Sequence, residues 1–314
     1  MAGEVADNTD RTDSTDKVRV RVGHRELTLT NLGKVLYPQA GFTKAEVIDY
    51  YSRVAPYMLP HIEGRPLTVK RYPEGVDGLF FFEKNRPPHT PSWVRTARLP
   101  APGSTKGRGT IDYAIVDDLP TLVYFAGLAA LELHTPMWRV DDEGQALPPD
   151  IMVFDLDPGP PATIEECRRV ALRLREALRE DGLDGCPKTS GNKGMQVYVP
   201  WAGREEDASA YAKALAQRLE KERPGEIVSQ MAKRLRPGKV LIDWSQNNPA
   251  KTTIAPYSLR ANATPTVSTP LTWEEVENTP PEDLVFTAGD VLERVERFGD
   301  LMAPPERGGA GEGP

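Results

Sequence analysis

Cysteine is scarce in this 314-residue chain, with Cys167 and Cys186 the only two. They are too few for a disulfide framework and lack the paired spacing of a zinc site, so they fit a reducing compartment. Long apolar runs are missing too, and no segment reaches the roughly 20 residues needed to span a bilayer. The acidic opening MAGEVADNTDRTDSTDK matches neither a secretory signal nor a transit peptide. The cytoplasm is therefore the expected location, with no membrane partner. What is present, 39% hydrophobic and 27% charged residues with 30 prolines, describes a globular, loop-rich chain long enough for a sizeable core.

A net charge of −7 argues against a protein that coats nucleic acid, yet its distribution matters more than its sum. The first 17 residues carry five acids and two bases, so −3 of that charge sits in an expected tail. Lys233, Arg234, Arg236, Lys239 and Lys251 crowd around the single acid Asp243, and Arg65, Lys70 and Arg71 form a second cluster. Charge alone favours reading both as solvated faces, although a basic stripe on an acidic protein also suits phosphate binding at one defined site.

Residues 1–17 and 303–314 have little apolar to bury and are expected to be disordered tails around one domain, 18–302, with two lobes. VRVRVGHRELTLT alternates on both sides of Gly23-His24, a hairpin signal. Thr43-Lys44-Ala45-Glu46 and Thr163-Ile164-Glu165-Glu166 are capping boxes ahead of helical patterns. DLPTLVYFAGLAALELH is almost wholly apolar and predicts one core helix ending at His134. IMVFDLDPG, MQVYVP and KVLIDW predict strands, and EDASAYAKALAQRLEKE a helix. The mixture places the chain in the α/β or α+β class.

The sharpest local feature is Val153-Phe154-Asp155-Leu156-Asp157-Pro158-Gly159. Alternate strand residues share a face, so Asp155 and Asp157 present two carboxylates side by side. Such a pair repels itself unless a cation or proton lies between, and oxygen-only ligation selects magnesium or manganese. A bare Asp-x-Asp more often caps a turn, but at the end of an apolar strand uncompensated charge is costly, which favours a metal. Asp243 ends a second apolar strand, KVLID. Three such carboxylates suit a site for two divalent metals and phosphoryl transfer. Ser190-Gly191-Asn192-Lys193-Gly194 offers glycine backbone and an ammonium to a phosphate, though it is not a Walker A loop and a plain turn is the simpler reading. Parallel strands at 151–157 and 195–200 would put the aspartates and this loop at opposite ends, and the sequence leaves the pairing open. Phe80-Phe81-Phe82-Glu83-Lys84 suits base stacking, while core packing is the commoner fate of three phenylalanines.

In order, LTNLGKVLYP, GFTKAEVIDYY, GRPLTVKRYPEGVDG, FFEK, LELHTPMW, VFDLDPG, TSGNKG, GKVLIDWSQNN and KTTIAPYSLR resemble the polymerase domain of bacterial ligase D, in the archaeo-eukaryotic primase superfamily. The resemblance spans nearly all of residues 25–302. It implies an α+β primase-polymerase fold, with mostly antiparallel or mixed sheets flanked by helices. It also implies a template-dependent nucleotidyltransferase that fills or extends broken DNA ends in non-homologous end joining. Ribonucleotides and manganese are often preferred in that family.

Carried onto matching positions, Asp155, Asp157 and Asp243 would be catalytic metal ligands for Mn2+ or Mg2+. His134, Ser190, Lys193, Gln196, Arg236, Gln246 and Arg260 would surround the incoming NTP or dNTP, with Lys70 and Arg71 near it. Phe81 and Phe82 would stack on template beside Lys84, while Asn31, Lys34 and Lys44 would hold the 5′-phosphate of a recessed DNA end. The departure is Gln196, where the family's SGxKGxH pattern ends in histidine. Glutamine donates hydrogen bonds but neither carries charge nor titrates, so weaker nucleotide binding or an altered metal preference is expected rather than inactivity. With no Lys-x-Asp-Gly ligase motif in the chain, a separate ligase and a Ku-like partner are expected, near the nucleoid. A catalytically weak DNA-end-binding module and a primer-independent primase are the alternatives, and an Asp155-nucleophile phosphohydrolase fits poorly because Pro158-Gly159 follows the motif.

Overall fold

The computed structural model describes residues 16–101 and 109–302. Of the two expected tails, all but Asp16 and Lys17 lies outside the described residues, and Lys17 already opens a strand. Lys17–Val22 pairs antiparallel with Arg25–Thr30 as the alternation predicts, around Gly23 at φ 56°. That left-handed backbone suits a residue without a Cβ.

Two larger sheets organise the molecule. The first has four antiparallel strands in the order Thr253–Ile254, Ala130–Thr135, Thr68–Arg71, Phe81–Glu83. The second has five, in the order Cys186–Thr189, Met195–Pro200, Ile151–Pro158, Val240–Asp243, Ile227–Val228, antiparallel except for the last pair. This mixed, mostly antiparallel α+β architecture agrees with the expected fold class.

Six helices cover the sheets among the described residues: α1 (Lys44–Ile62), α2 (Leu119–Gly127), α3 (Ile164–Glu180), α4 (Glu205–Glu222), α5 (Trp273–Asn278) and α6 (Ala288–Phe298). Both predicted capping boxes form, Thr43 with Glu46 at α1 and Thr163 with Glu166 at α3. Each satisfies two N-terminal amides that the helix itself cannot pair. One face of α3 is apolar at helical spacing, and Cys167, Ala171, Leu174 and Leu178 are fully buried along it.

Burial falls into two main cores. Tyr51, Val54, Phe125, Leu131, Leu133 and Val291 join α1, α2 and α6 to the four-stranded sheet. Phe154, Leu156, Leu174, Val197, Leu215 and Leu219 join α3 and α4 to the five-stranded sheet. Ala255, Tyr257, Leu259 and Val267 belong to the first core although they follow the second sheet in sequence. The two cores are therefore interleaved along the chain.

One expectation is corrected. DLPTLVYFAGLAALELH is not a single helix: α2 stops at Gly127, Ala129 takes a left-handed φ of 56°, and Ala130–Thr135 is a strand. Continuous apolarity hides the change from a period of 3.6 to one of 2. In the strand, Leu131 and Leu133 enter the core while Glu132 and His134 share the other face. His134 thus projects from a sheet rather than from a helix end.

Candidate active site

The question of strand direction is settled by antiparallel pairing. Ile151–Pro158 and Met195–Pro200 pair with Leu156 opposite Met195 and Asp155 opposite Gln196. The end of the aspartate strand and the start of the glutamine strand therefore meet, bringing the Ser190–Gly194 loop beside Asp155 and Asp157. On the other flank Asp155 lies opposite Asp243. Lys188 lies opposite Gln196 on the next strand out. Partners across an antiparallel ladder share a face, so Lys188, Gln196, Asp155 and Asp243 form one row across four strands.

Electrostatics along this row are strained by burial. Burial and the neighbouring Asp157 push the Asp155 carboxyl up, Asp243 adds to the rise, and the Gln196 hydrogen bond and Lys188 oppose it. Gln196 Nε2 donates to Asp155 Oδ1 at 2.9 Å, while its Oε1 is buried without a hydrogen-bond partner among the described residues. Burial and Asp243 also push Asp157 up, against Arg236 and Arg260. Carboxylates held apart from water and close to one another favour a bound proton or cation.

Asp243 is engaged locally. Its Oδ1 accepts from Ser245 N at 3.0 Å and Ser245 Oγ at 2.5 Å, and its Oδ2 accepts from Gln246 Nε2 at 2.9 Å. Among the described residues no group of three or more His, Cys, Asp or Glu side chains stands arranged around a common metal position. Register thus brings all three aspartates to neighbouring strand positions, with the third carboxylate held by its own turn.

The loop is tight and closed on itself. Asn192 N and Gly194 N donate to Ser190 Oγ at 3.3 and 3.2 Å, and Ser190 N donates to Gly194 O at 2.9 Å. Gly191 has φ 69°, and a Cβ on Gly194 would fall 2.1 Å from Leu156 O, so both positions exclude side chains. Gly191 O accepts from Asn262 Nδ2 at 2.9 Å and Thr266 Oγ1 at 2.7 Å, which ties the loop to the Arg260 segment.

A cavity of about 240 Å3 opens between the sheets. Its wall includes Asp155, Asp157, Ser190, Lys193, Gln196, Gln246, His134 and Arg260, eight of the residues singled out in sequence. Lys70 pairs with Glu132 at 3.2 Å, and Arg236 donates to Met231 O at 2.7 Å. Arg71 is turned away, donating to Leu128 O at 3.0 Å and pairing with Glu83 at 3.0 Å.

The remaining residues lie outside the cavity. Phe81 and Phe82 are about half exposed on an edge strand instead of packed in a core, and the Phe82 ring lies 6.3 Å from that of His134. Lys84 Nζ donates to Ala250 O at 3.1 Å. Asn31 holds a left-handed φ of 54° beside Lys34 and Lys44, whose backbones are joined by a 2.8 Å hydrogen bond. Lys44 Nζ donates to Thr30 O at 2.7 Å, and Lys34 pairs with Glu74 at 2.8 Å.

Two residues escaped the sequence reading. Lys188 is fully buried, donating to Ile254 O at 3.2 Å and to Ser268 Oγ, and burial pushes its ammonium well down. Glu132, 3% exposed, sits against His134, Lys70 and Arg260. The available signal for Glu132 was its spacing of two from His134, masked by the helical reading of that stretch.

The family model for the LigD primase-polymerase domain matches residues 43–302. The chain is 44% identical over 283 residues to the multifunctional non-homologous end joining protein LigD of Mycolicibacterium smegmatis, covering 90% of this chain and 36% of that protein. It is 30% identical over 279 residues to the bifunctional non-homologous end joining protein LigD of Bacillus subtilis, covering 88% of this chain and 43% of that protein. The chain thus spans less than half the length of these relatives. The solved polymerase domain of Mycobacterium tuberculosis ligase D in complex with DNA superposes with a TM-score of 0.83 at 44% identity, over 88% of this chain and 96% of that one. The family match runs through both sheets and all three aspartates, and by it the chain belongs to the LigD primase-polymerase domain family.

Proposed function

We propose that this chain is a template-directed nucleotidyltransferase that fills or extends DNA ends during non-homologous end joining, in the cytoplasm and near the nucleoid. The single observation that carries the reading is the row placing Asp155 between Gln196 and Asp243, on the wall of a cavity that also holds Lys193, Arg260 and Ser190. A carboxylate cluster beside cations and a glycine loop suits a triphosphate whose charge must be balanced on both sides.

The donor set fits two divalent cations, Mn2+ or Mg2+, held by Asp155, Asp157 and Asp243. All donors are oxygens, and burial next to like charge already drives Asp155 and Asp157 toward a positive partner. When bound, such ions supply charge neutralisation and activation of the attacking hydroxyl. The chain's own residues do the rest of the binding. Lys193 and Arg260 face the triphosphate, Ser190 and the glycine backbone shape its seat, and Gln196 keeps Asp155 oriented through its amide.

Beyond the cavity, Phe81 and Phe82 offer exposed rings to template bases, and the cations Lys34 and Lys44 with the amide of Asn31 would hold the 5′-phosphate across a gap. A ligase activity and a Ku-like end-binding protein would complete repair. The test is extension of a labelled primer on a template carrying a downstream strand, with and without its 5′-phosphate, using NTPs or dNTPs and either metal. Metal-dependent extension stimulated by the 5′-phosphate is expected. No extension with any nucleotide or metal would refute the reading.

A further inference from the structure

The four-stranded sheet carries a second row of polar side chains, of which His134 reaches the cavity wall. Register sets Lys70 opposite Phe82 on one neighbour and opposite Glu132 on the other. His134 follows two residues after Glu132 and shares its face. Glu132 is 3% exposed, a costly place for a carboxylate unless it is well partnered.

Its partners are those proposed for the nucleotide. Glu132 Oε2 lies 2.9 Å from His134 Nε2, 3.2 Å from Lys70 Nζ and 3.7 Å from Arg260 Nη1. Its Oε1 accepts from Ala261 N at 3.2 Å, which fixes the backbone beside Arg260. Burial pushes the Glu132 carboxyl up, but the His134 hydrogen bond and the Arg260 and Lys70 charges outweigh it and hold it at about 2. The group is thus a carboxylate at neutral pH and can only accept, so the His134 proton must sit on Nε2. Burial pushes the His134 ring down against the Glu132 hydrogen bond and charge, which favours the singly protonated ring, and with its proton on Nε2 that ring leaves Nδ1 an acceptor.

We propose that Glu132 is a positioning residue for the incoming nucleotide. From behind the cavity wall it holds His134, Lys70 and Arg260 in one arrangement, and it sets His134 to offer Nδ1 to a hydroxyl or amino hydrogen rather than to a phosphate oxygen. The inference rests on reading the cavity as the nucleotide site. A purely structural carboxylate would affect folding stability alone. A positioning carboxylate changes nucleotide affinity and the His134 tautomer in a protein that still folds.

The experiment combines 15N NMR of the His134 ring in the full chain with equilibrium binding of ATP in the presence of Mn2+. Wild type, Glu132→Ala, Glu132→Gln, Lys70→Ala and Arg260→Ala are compared, with thermal melting as the fold control. The wild-type ring should carry its proton on Nε2. Glu132→Ala should lose that preference and raise the ATP dissociation constant about tenfold to about a hundredfold. Glu132→Gln should fall between, since its amide oxygen still accepts from His134 but no longer draws in two cations. If Glu132→Ala does not fold, the wild-type tautomer and the Gln variant decide. A wild-type proton on Nδ1 overturns the proposal. Unchanged ATP affinity in the folded Glu132 variants, with affinity lost in Lys70→Ala and Arg260→Ala, overturns it and leaves the nucleotide site standing. Unchanged affinity in all the variants overturns both.

Discussion

Gln196 Nε2 donates to Asp155 Oδ1 at 2.9 Å from the position directly opposite on the neighbouring strand. The amide thus acts on an aspartate rather than standing free for a phosphate, and its buried Oε1 is without a hydrogen-bond partner among the described residues. Gln196→His puts a titratable ring against Asp155, where a protonated imidazole gives Asp155 a cationic neighbour and a neutral one does not. The expected outcome is tighter nucleotide binding or a shifted manganese-to-magnesium preference, with extension retained in both proteins. Steady-state extension with each metal measures this. Identical nucleotide KM and metal preference in parent and variant would remove the role assigned to Gln196.

Phe81 and Phe82 are 51% and 46% exposed, so truncating them leaves the folding core untouched. Base stacking on an aromatic is worth about 1–3 kcal/mol per base. Phe81→Ala with Phe82→Ala should weaken template binding by that order while the melting temperature holds. Fluorescence anisotropy with a labelled primer-template, alongside thermal melting, reads both quantities. A lower melting temperature with unchanged DNA affinity would assign the rings to packing.

Gly194 packs so closely that a Cβ would lie 2.1 Å from Leu156 O, inside the ladder that carries Asp155. Gly194→Ala must spread the two strands or shift the loop, at an overpacking cost of about 1–3 kcal/mol. Urea unfolding should show that loss, and nucleotide affinity should fall with it. An alanine variant as stable as the parent would mean that the loop gives way freely.

Acid should reveal Glu132. Against an ordinary value near 4.5, its folded-state carboxyl is held at about 2, with burial opposed by His134, Arg260 and Lys70. A depressed folded value means the stabilisation is fully present above about 4.5 and is lost as pH falls toward about 2. Wild type should therefore exceed Glu132→Gln in stability at neutral pH, with the gap narrowing across that acid window. Denaturant unfolding at pH 7, 4 and 3 follows the gap, and a gap independent of pH would contradict the placement of that charge.

Much of the molecule was legible because local chemistry and tertiary structure agree. The Gly23-His24 hairpin, the Thr43 and Thr163 capping boxes and the strands that carry Asp155 and Asp243 all follow from short patterns that the fold keeps. Reading failed where a pattern carried no period. Leu122 to Leu131 is apolar apart from the Tyr124 hydroxyl, so no period marked the helix-to-strand change at Ala129, and Glu132 was lost with it. Sheet register is non-local and lay beyond reach as well. Neither the meeting of Asp155 with Gln196, 41 positions apart, nor the burial of Lys188 beside them can be read from the sequence. Phe81 and Phe82 show the opposite case, since an edge strand leaves exposed what composition would bury.

The proposed phosphoryl transfer requires Asp155, Asp157 and Asp243 to act together at one site. The most direct measurement is single-turnover primer extension by wild type and by Asp155→Asn, Asp157→Asn and Asp243→Asn, at saturating nucleotide and manganese, with melting temperatures confirming the folds. Each substitution keeps the side-chain shape and removes one charge. Each should slow extension about a thousandfold, the order seen when one group stabilising transition-state charge is removed. Extension by all three folded variants at the wild-type rate would contradict the account.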